Sequence, residues 1–314
     1  MEHTHRFQNK LTTSSFLLPV AAIICFFLWV LGFSFENYLH WLGMLVCVLS
    51  TMLIMELNNT YMLIRTRTRM VATTFLTLWS ICSFLMTFQV SHISVLSFLI
   101  SYHGLFSSYQ KHEATGTCFF IFFSLGIASI IVQPLCVFIL PFFITLAYYQ
   151  SLTLKSFFAG LMGFCLPFWL AFSTCFLIDR TDLALSYVAN YSQWIPFQYE
   201  NWTLQHAIVL ALVLIPSIPG IIHFIQYRFQ DKIKVQSYFY FLLWIECILL
   251  IGIVILPSHF KIWLLLLIMN SSPFIAHFFT LTYSKYTNIF FLVMLALLIV
   301  YLIYDRWIFL FNFY

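Results

Sequence analysis

Apolar blocks of about 15 to 22 residues recur along the whole chain, and this repetition limits the fold more than any other feature. Each block approaches the ~20 residues that a helix needs to cross a hydrocarbon core of ~30 Å. In lipid, only helices and closed barrels satisfy every backbone N–H and C=O. A barrel would need short segments alternating polar and apolar residues, whereas these blocks are apolar on all faces. The expected fold is therefore all-α: a polytopic transmembrane helix bundle. Composition agrees, since only 8% of the 314 residues are charged and 62% are hydrophobic, against roughly a quarter charged in soluble domains.

Spans are expected at about 16–33, 42–57, 71–88, 93–108, 117–133, 135–150, 157–178, 205–225, 238–256, 262–282 and 289–303, about eleven in all. The stretch 117–150 has two readings, two short spans or a re-entrant hairpin around Gln133-Pro134. A break at Pro134 is expected in both, because proline lacks the N–H and disfavours a helical residue before it. Residues 1–15 read as a cytoplasmic N-terminal tail, 16–303 as a single transmembrane domain and 304–314 as a short C-terminal tail. Arg6 and Lys10 precede the first block and no small-residue cleavage site follows it, so that block reads as an uncleaved helix.

Charge gives an independent check. With the N-terminus inside, the inner segments hold Arg6, Lys10, Arg65, Arg67, Arg69, Lys111, Lys155, Arg228, Lys232, Lys234 and Lys285. Only Arg180, Lys261 and Arg306 of the 14 Lys and Arg fall outside. This asymmetry follows the positive-inside rule and implies N-in, C-out. The sizeable outer connection, 179–204, sets Leu183, Tyr187, Val188, Tyr191 and Ile195 on one helical face, as in a helix lying in the membrane interface; the alternative is an irregular loop whose aromatics sit in the headgroup belt. The net charge of +4 is scattered through short loops, with no basic stripe to engage nucleic acid.

Two acids lie inside apolar blocks. Glu56 is near an inner helix end, where it can snorkel or pair with a loop cation. Glu246 is near the centre of the ninth block, and its neighbours Leu242, Leu243, Leu249 and Leu250 offer no partner. A charge at that depth costs on the order of 3 kcal/mol or more, so the group is either protonated or paired across helices. Depth matching in the antiparallel tenth block puts Asn270, Ser271 and Ser272 level with it, and His103 is near mid-depth in the fourth. The expected intramembrane cluster is Glu246, Asn270, Ser271, Ser272 and His103; the simpler alternative is one hydrogen-bonded acid that helps two helices associate.

Helix breaks are expected at Pro134, Pro216, Pro219 and Pro273, because freed carbonyls at broken helices line the sites of many transporters. Such prolines also occur as plain packing kinks. The eight cysteines lie singly in apolar blocks, without CxxC pairs or Cys/His spacing, so no metal, disulfide framework or cofactor is expected. Walker, GxSxG, HExxH and dinucleotide motifs are all absent from the sequence.

The segment "FFSLGIASIIVQPLCVFILPFFITLAYYQSLTLKSFFAGLMGFCLPFWLAF" resembles the central region of a multi-pass inner-membrane family of Bacteroidetes. "ELNNTYML" is similar to that family's asparagine after the second span, and "IMNSSPFIAHFFTLTYSKYTNIFFLVMLALLIVYL" to its closing helices. The resemblance implies an inner-membrane compartment and carries no activity with it. The run "GxAxxxxxPxxxxxLP" also looks like a span pair of membrane glycosyltransferases that use polyprenyl-phosphate sugars. That likeness implies a catalytic acid in the first outer loop, the position of Glu36. That loop is shorter than such enzymes require, and the second outer loop, Gln89 to His92, has no acid.

Three functions follow as expectations. The leading one is a structural or accessory component of the cell envelope, with the lipid bilayer and other envelope membrane proteins as partners. The second is a transporter or flippase-like protein using the mid-membrane acid. The third is a degenerate transferase acting on a lipid-linked substrate through Glu36.

Overall fold

The computed structural model describes residues 6–31, 38–192, 197–200 and 202–311. In chain order its helices are α1 (Phe7–Thr13), α2 (Leu17–Leu31), α3 (Tyr38–Tyr61), α4 (Met70–Ile81), α5 (Ile93–Ser107), α6 (Thr115–Ile131) and α7 (Ile139–Tyr148). They continue as α8 (Leu154–Leu177), α9 (Thr181–Ser192), α10 (Leu204–Tyr227), α11 (Ile233–Ile255), α12 (Phe260–Leu281) and α13 (Lys285–Phe311). No strand occurs among the described residues. Each expected span overlaps one of these helices over its described residues.

Seven helical stretches are long and apolar enough to cross a membrane, and α1 with α2 forms a further candidate bent by 91°. This is the pattern of a multi-pass membrane protein. Three expected spans map to shorter apolar helices: α4, α6, and the stretch from Gln133 to Tyr148. The third span, expected to reach residue 88, ends its α-helix at Ile81 and passes into a 3-10 turn over Ser83–Leu85. At about 1.5 Å per residue, the 12 residues of α4 rise only ~18 Å.

The contacts divide the chain into two compact units. Residues 1–89, 199–253 and 259–314 form the first; 90–198 and 254–258 form the second. The first unit is organised around α12, of whose spanning window 94% is buried. The side chains from Leu264 to Ile268 are wholly enclosed. Around it α10 approaches closely, since a Cβ at Gly220 would stand 2.5 Å from the Phe274 carbonyl oxygen. The α2 helix is tied to α4 by Trp29, whose indole N–H donates to Ser80 Oγ at 3.1 Å.

In the second unit, α5 and α6 are joined through Ser124, whose hydroxyl donates to the Ser97 carbonyl at 2.8 Å and meets Ser101 Oγ at 2.5 Å. The α6–α8 seam depends on small residues. A Cβ on Gly163 would run into the Phe119 carbonyl, and one on Gly126 would stand 2.7 Å from the Phe164 carbonyl oxygen. A reciprocal pair of hydrogen bonds between Thr153 and Ser156 starts α8. The helix expected within 179–204 is present as α9, pinned by Tyr187: its hydroxyl donates to the Ser129 carbonyl, while its own carbonyl accepts from Gln133 Nε2. Leu183, Leu185 and Val188 remain exposed on it. Ile195 lies outside the described residues.

Several expectations need correction. Pro134 does break the chain's helicity, opening a 3-10 run over Gln133–Phe138. Pro216 and Pro219, however, sit within a continuous α10, and Pro273 within a continuous α12. Each proline removes one i→i−4 bond, but the many bonds on either side and the packed neighbours hold the helix. The N-terminal tail contains α1, whose Gln8 is buried and donates to the Phe279 carbonyl at 2.7 Å and to Thr282. Of the expected C-terminal tail, α13 covers 304–311, and residues 312–314 lie outside the described residues.

Candidate functional site

Glu246 is enclosed near the middle of α11, with 2% of its surface exposed. Both of its oxygens are engaged from α12. Asn270 Nδ2 donates to Oε2 at 2.6 Å, and Ser271 Oγ donates to Oε1 at 2.5 Å. The Asn270 amide also donates to the Leu242 carbonyl, one turn before Glu246, at 2.8 Å. Asparagine carries two N–H groups on one nitrogen, so a single side chain holds both the acid and the backbone of α11. The cluster is a clamp between two long helices.

Among the described hydrogen bonds, Ser272 does not join this clamp. Ser272 turns back on its own helix and donates to the Ile268 carbonyl at 2.5 Å. It points away because residues 271 and 272 are about 100° apart around a helix. His103 is on α5, which belongs to the second unit. Glu36 lies outside the described residues. Glu56 is exposed near the end of α3, and it is Asn58 that is buried there, donating to the Thr68 carbonyl at 3.1 Å.

Two further polar groups of the first unit escaped the sequence reading. The first joins α10, the turn after it and α12. His277 Nε2 is 3.1 Å from Asp231 Oδ2, and His277 Nδ1 is 3.2 Å from His223 Nδ1. Sequence contained a signal for it: His223 and His277 stand two and five residues before the ends of their expected spans, 205–225 and 262–282. The second centres on Asp305, buried on α13. Its carboxylate accepts from the Ser83 N–H at 3.1 Å, from Ser83 Oγ at 3.0 Å and from the Tyr301 hydroxyl at 3.2 Å. Asp305 thereby caps the 3-10 turn that follows α4, replacing backbone partners lost at the helix end.

An apolar cleft of about 450 Å3 opens between α2, α4 and α13, with Val20, Cys25, Thr73, Thr77, Leu298 and Ile299 on its walls. A smaller cavity of about 110 Å3 continues it toward Pro216 and Ile275. Neither is lined by Glu246 or by the histidine pair. Among the described residues, no group of three or more His, Cys, Asp or Glu has the spacing to hold a metal ion. Comparison with protein families, with curated proteins and with solved structures finds no match for this chain.

Proposed function

We propose that the chain is a structural or accessory membrane protein of the cell envelope, residing in the inner membrane with its N-terminus inside. The observation that carries this reading is the closed Glu246 clamp: both carboxylate oxygens are bound by donors from α12. A carboxyl saturated in this way joins helices rather than exchanging a substrate. Continuous α10 and α12 favour the same reading, since their prolines do not free a gap in the backbone. The natural partners are the bilayer and other envelope membrane proteins. The apolar α2–α4–α13 cleft, within the usual ~300–1,000 Å3 of ligand pockets, suits a lipid chain.

A second reading, proton-linked transport, is favoured by the ionisable residues gathered along buried α12. The transferase alternative would rest on Glu36, which lies outside the described residues, and on a lipid-linked substrate. Reconstitution into vesicles under a pH gradient separates the first two. Under the accessory reading, wild type and Glu246→Gln leak protons at the same rate. A wild-type flux that Glu246→Gln abolishes, in a folded protein, would sink it in favour of transport.

A further inference from the structure

The Asp231–His277–His223 chain is unrelated to the Glu246 clamp and asks for a different explanation. His277 is wholly buried, and its ring is wedged against Phe239 and Phe224, with centroids 5.3 and 6.0 Å away. Both of its nitrogens are nonetheless engaged. A neutral imidazole carries one N–H and one lone pair. Ionised Asp231 can only accept, so the hydrogen belongs on His277 Nε2 and the lone pair on Nδ1. That lone pair then requires a hydrogen on His223 Nδ1, which leaves His223 Nε2 as a free base. The partner on one nitrogen of a histidine sets the role of the other. Here the rule applies twice in succession.

We propose that Asp231, His277 and His223 form a proton-binding relay, in which His223 Nε2 accepts the proton. Every proton in the step is conserved. A proton arrives on His223 Nε2; the His223 Nδ1 proton passes to His277 Nδ1; the His277 Nε2 proton passes to Asp231 Oδ2. Asp231 ends neutral, and both rings remain neutral with their tautomers exchanged. His223 is suited to be the receiving end because it is only half-buried, resting on Tyr227 with ring centroids 4.7 Å apart and against Phe278 at 5.8 Å.

The charged and titratable groups around the relay leave His223 as the receiving base. From the α3–α4 connection, the Arg65 charge opposes a positive charge resting on His223, so an arriving proton is better passed on toward Asp231; Arg65 itself donates to Gln230 Oε1 at 2.6 Å. Arg228 is occupied by the Tyr240 hydroxyl and lies over the Phe229 ring. Lys232 of the α10–α11 turn and Lys234 at the start of α11 are exposed, the latter 5.9 Å above the Tyr238 ring. From α12 only His277 reaches His223 with a polar group among the described hydrogen bonds. The relay ties α10, α12 and the turn between α10 and α11, so proton occupancy is felt by all three.

Nitrogen NMR of the full chain, labelled at histidine and held in lipid nanodiscs, reads the tautomers directly. At alkaline pH the expected state of His223 is the N–H on Nδ1, the minor form in water, and Asp231→Asn abolishes that preference. Acidification should bind about one proton fewer per chain in His223→Gln than in wild type. The proposal is overturned if His223 carries its hydrogen on Nε2 irrespective of Asp231, or if His223→Gln takes up as many protons. It also fails if Zn2+ at micromolar concentration shifts both Nδ1 resonances, because the pair would then be a cation site. His277→Gln fills a wholly buried position and can misfold; Asp231→Asn, at a turn, keeps the test independent of that.

Discussion

Glu246 illustrates how a costly residue is made tolerable in an apolar interior. Its two oxygens each take a donor from α12, and Asn270 uses its second N–H on the Leu242 carbonyl. Removing the acid leaves two buried donors without an acceptor, a penalty of about 1–3 kcal/mol. Interhelical hydrogen bonds themselves average only ~0.6 kcal/mol in membranes. The expected order of thermal stability in detergent is therefore wild type, then Glu246→Gln with a loss below ~1 kcal/mol, then Glu246→Leu. Should Glu246→Leu prove as stable as wild type, the clamp does not hold the helices. This pairing was legible in the sequence because α11 and α12 run antiparallel, so equal depth implied proximity. The contribution of Ser272 was misjudged because depth says nothing of rotation about the helix axis. The Asp231 link to His277 was less legible still, since it requires a turn to fold back under a helix end.

At the scale of elements, the glycines and the helix ends divide the work in an unusual way. None of the described glycines has a positive φ, while Met62, Gln110, Gln150 and Asp179, close after the ends of α3, α5, α7 and α8, take the left-handed conformation that glycine usually supplies. Each such residue costs on the order of 1–2 kcal/mol. The glycines are committed instead to close helix contacts, as at Gly163 against the Phe119 backbone and Gly126 against that of Phe164. Gly163→Val should therefore separate α6 from α8 and destabilise the second unit by about 1–3 kcal/mol or more. Gly116, with nothing within 4 Å of its Cβ position, is the contrast: Gly116→Ala should leave stability unchanged or raise it by up to ~1 kcal/mol. Thermal melts of the two variants decide the matter, and equal melting points would remove the α6–α8 seam as the cause. Small residues four apart, Ser124/Ala128 and Ala159/Gly163, mark these helices in the sequence as able to pack closely, but they do not say which glycine meets backbone.

For the molecule as a whole, the distribution of cations remains the strongest statement about topology. With an odd number of crossings, the N- and C-termini lie on opposite sides; an even number would bring them together. Reporter fusions after Lys10, Lys111 and Lys232 are expected to read as cytoplasmic, and fusions at Asp182 and the C-terminus as external. Matching reports from the two termini would remove one crossing from the eleven, and the place to look is Gln133–Tyr148, whose two helical pieces are both short. The same scale separates what hydropathy can and cannot convey. Hydropathy located α4 but not its short length, because the 3-10 turn that follows it is equally apolar.

The amino-acid sequence by itself determined that this protein is helical, multi-pass and biased in its basic residues, because lipid forbids unsatisfied backbone and charge resists translocation. It also determined that Glu246 needs partners, since an acid at mid-helix has no other way to remain there. Only the tertiary structure decided that α12 is the buried centre of its unit while α8 and α13 are mostly exposed, for all are comparably apolar and burial depends on neighbours rather than composition. It decided too that three of the four prolines would not break their helices, and that Asp231, His277 and His223 would meet. Those outcomes depend on how helices are rotated and packed against one another, which a one-dimensional pattern of polarity does not record.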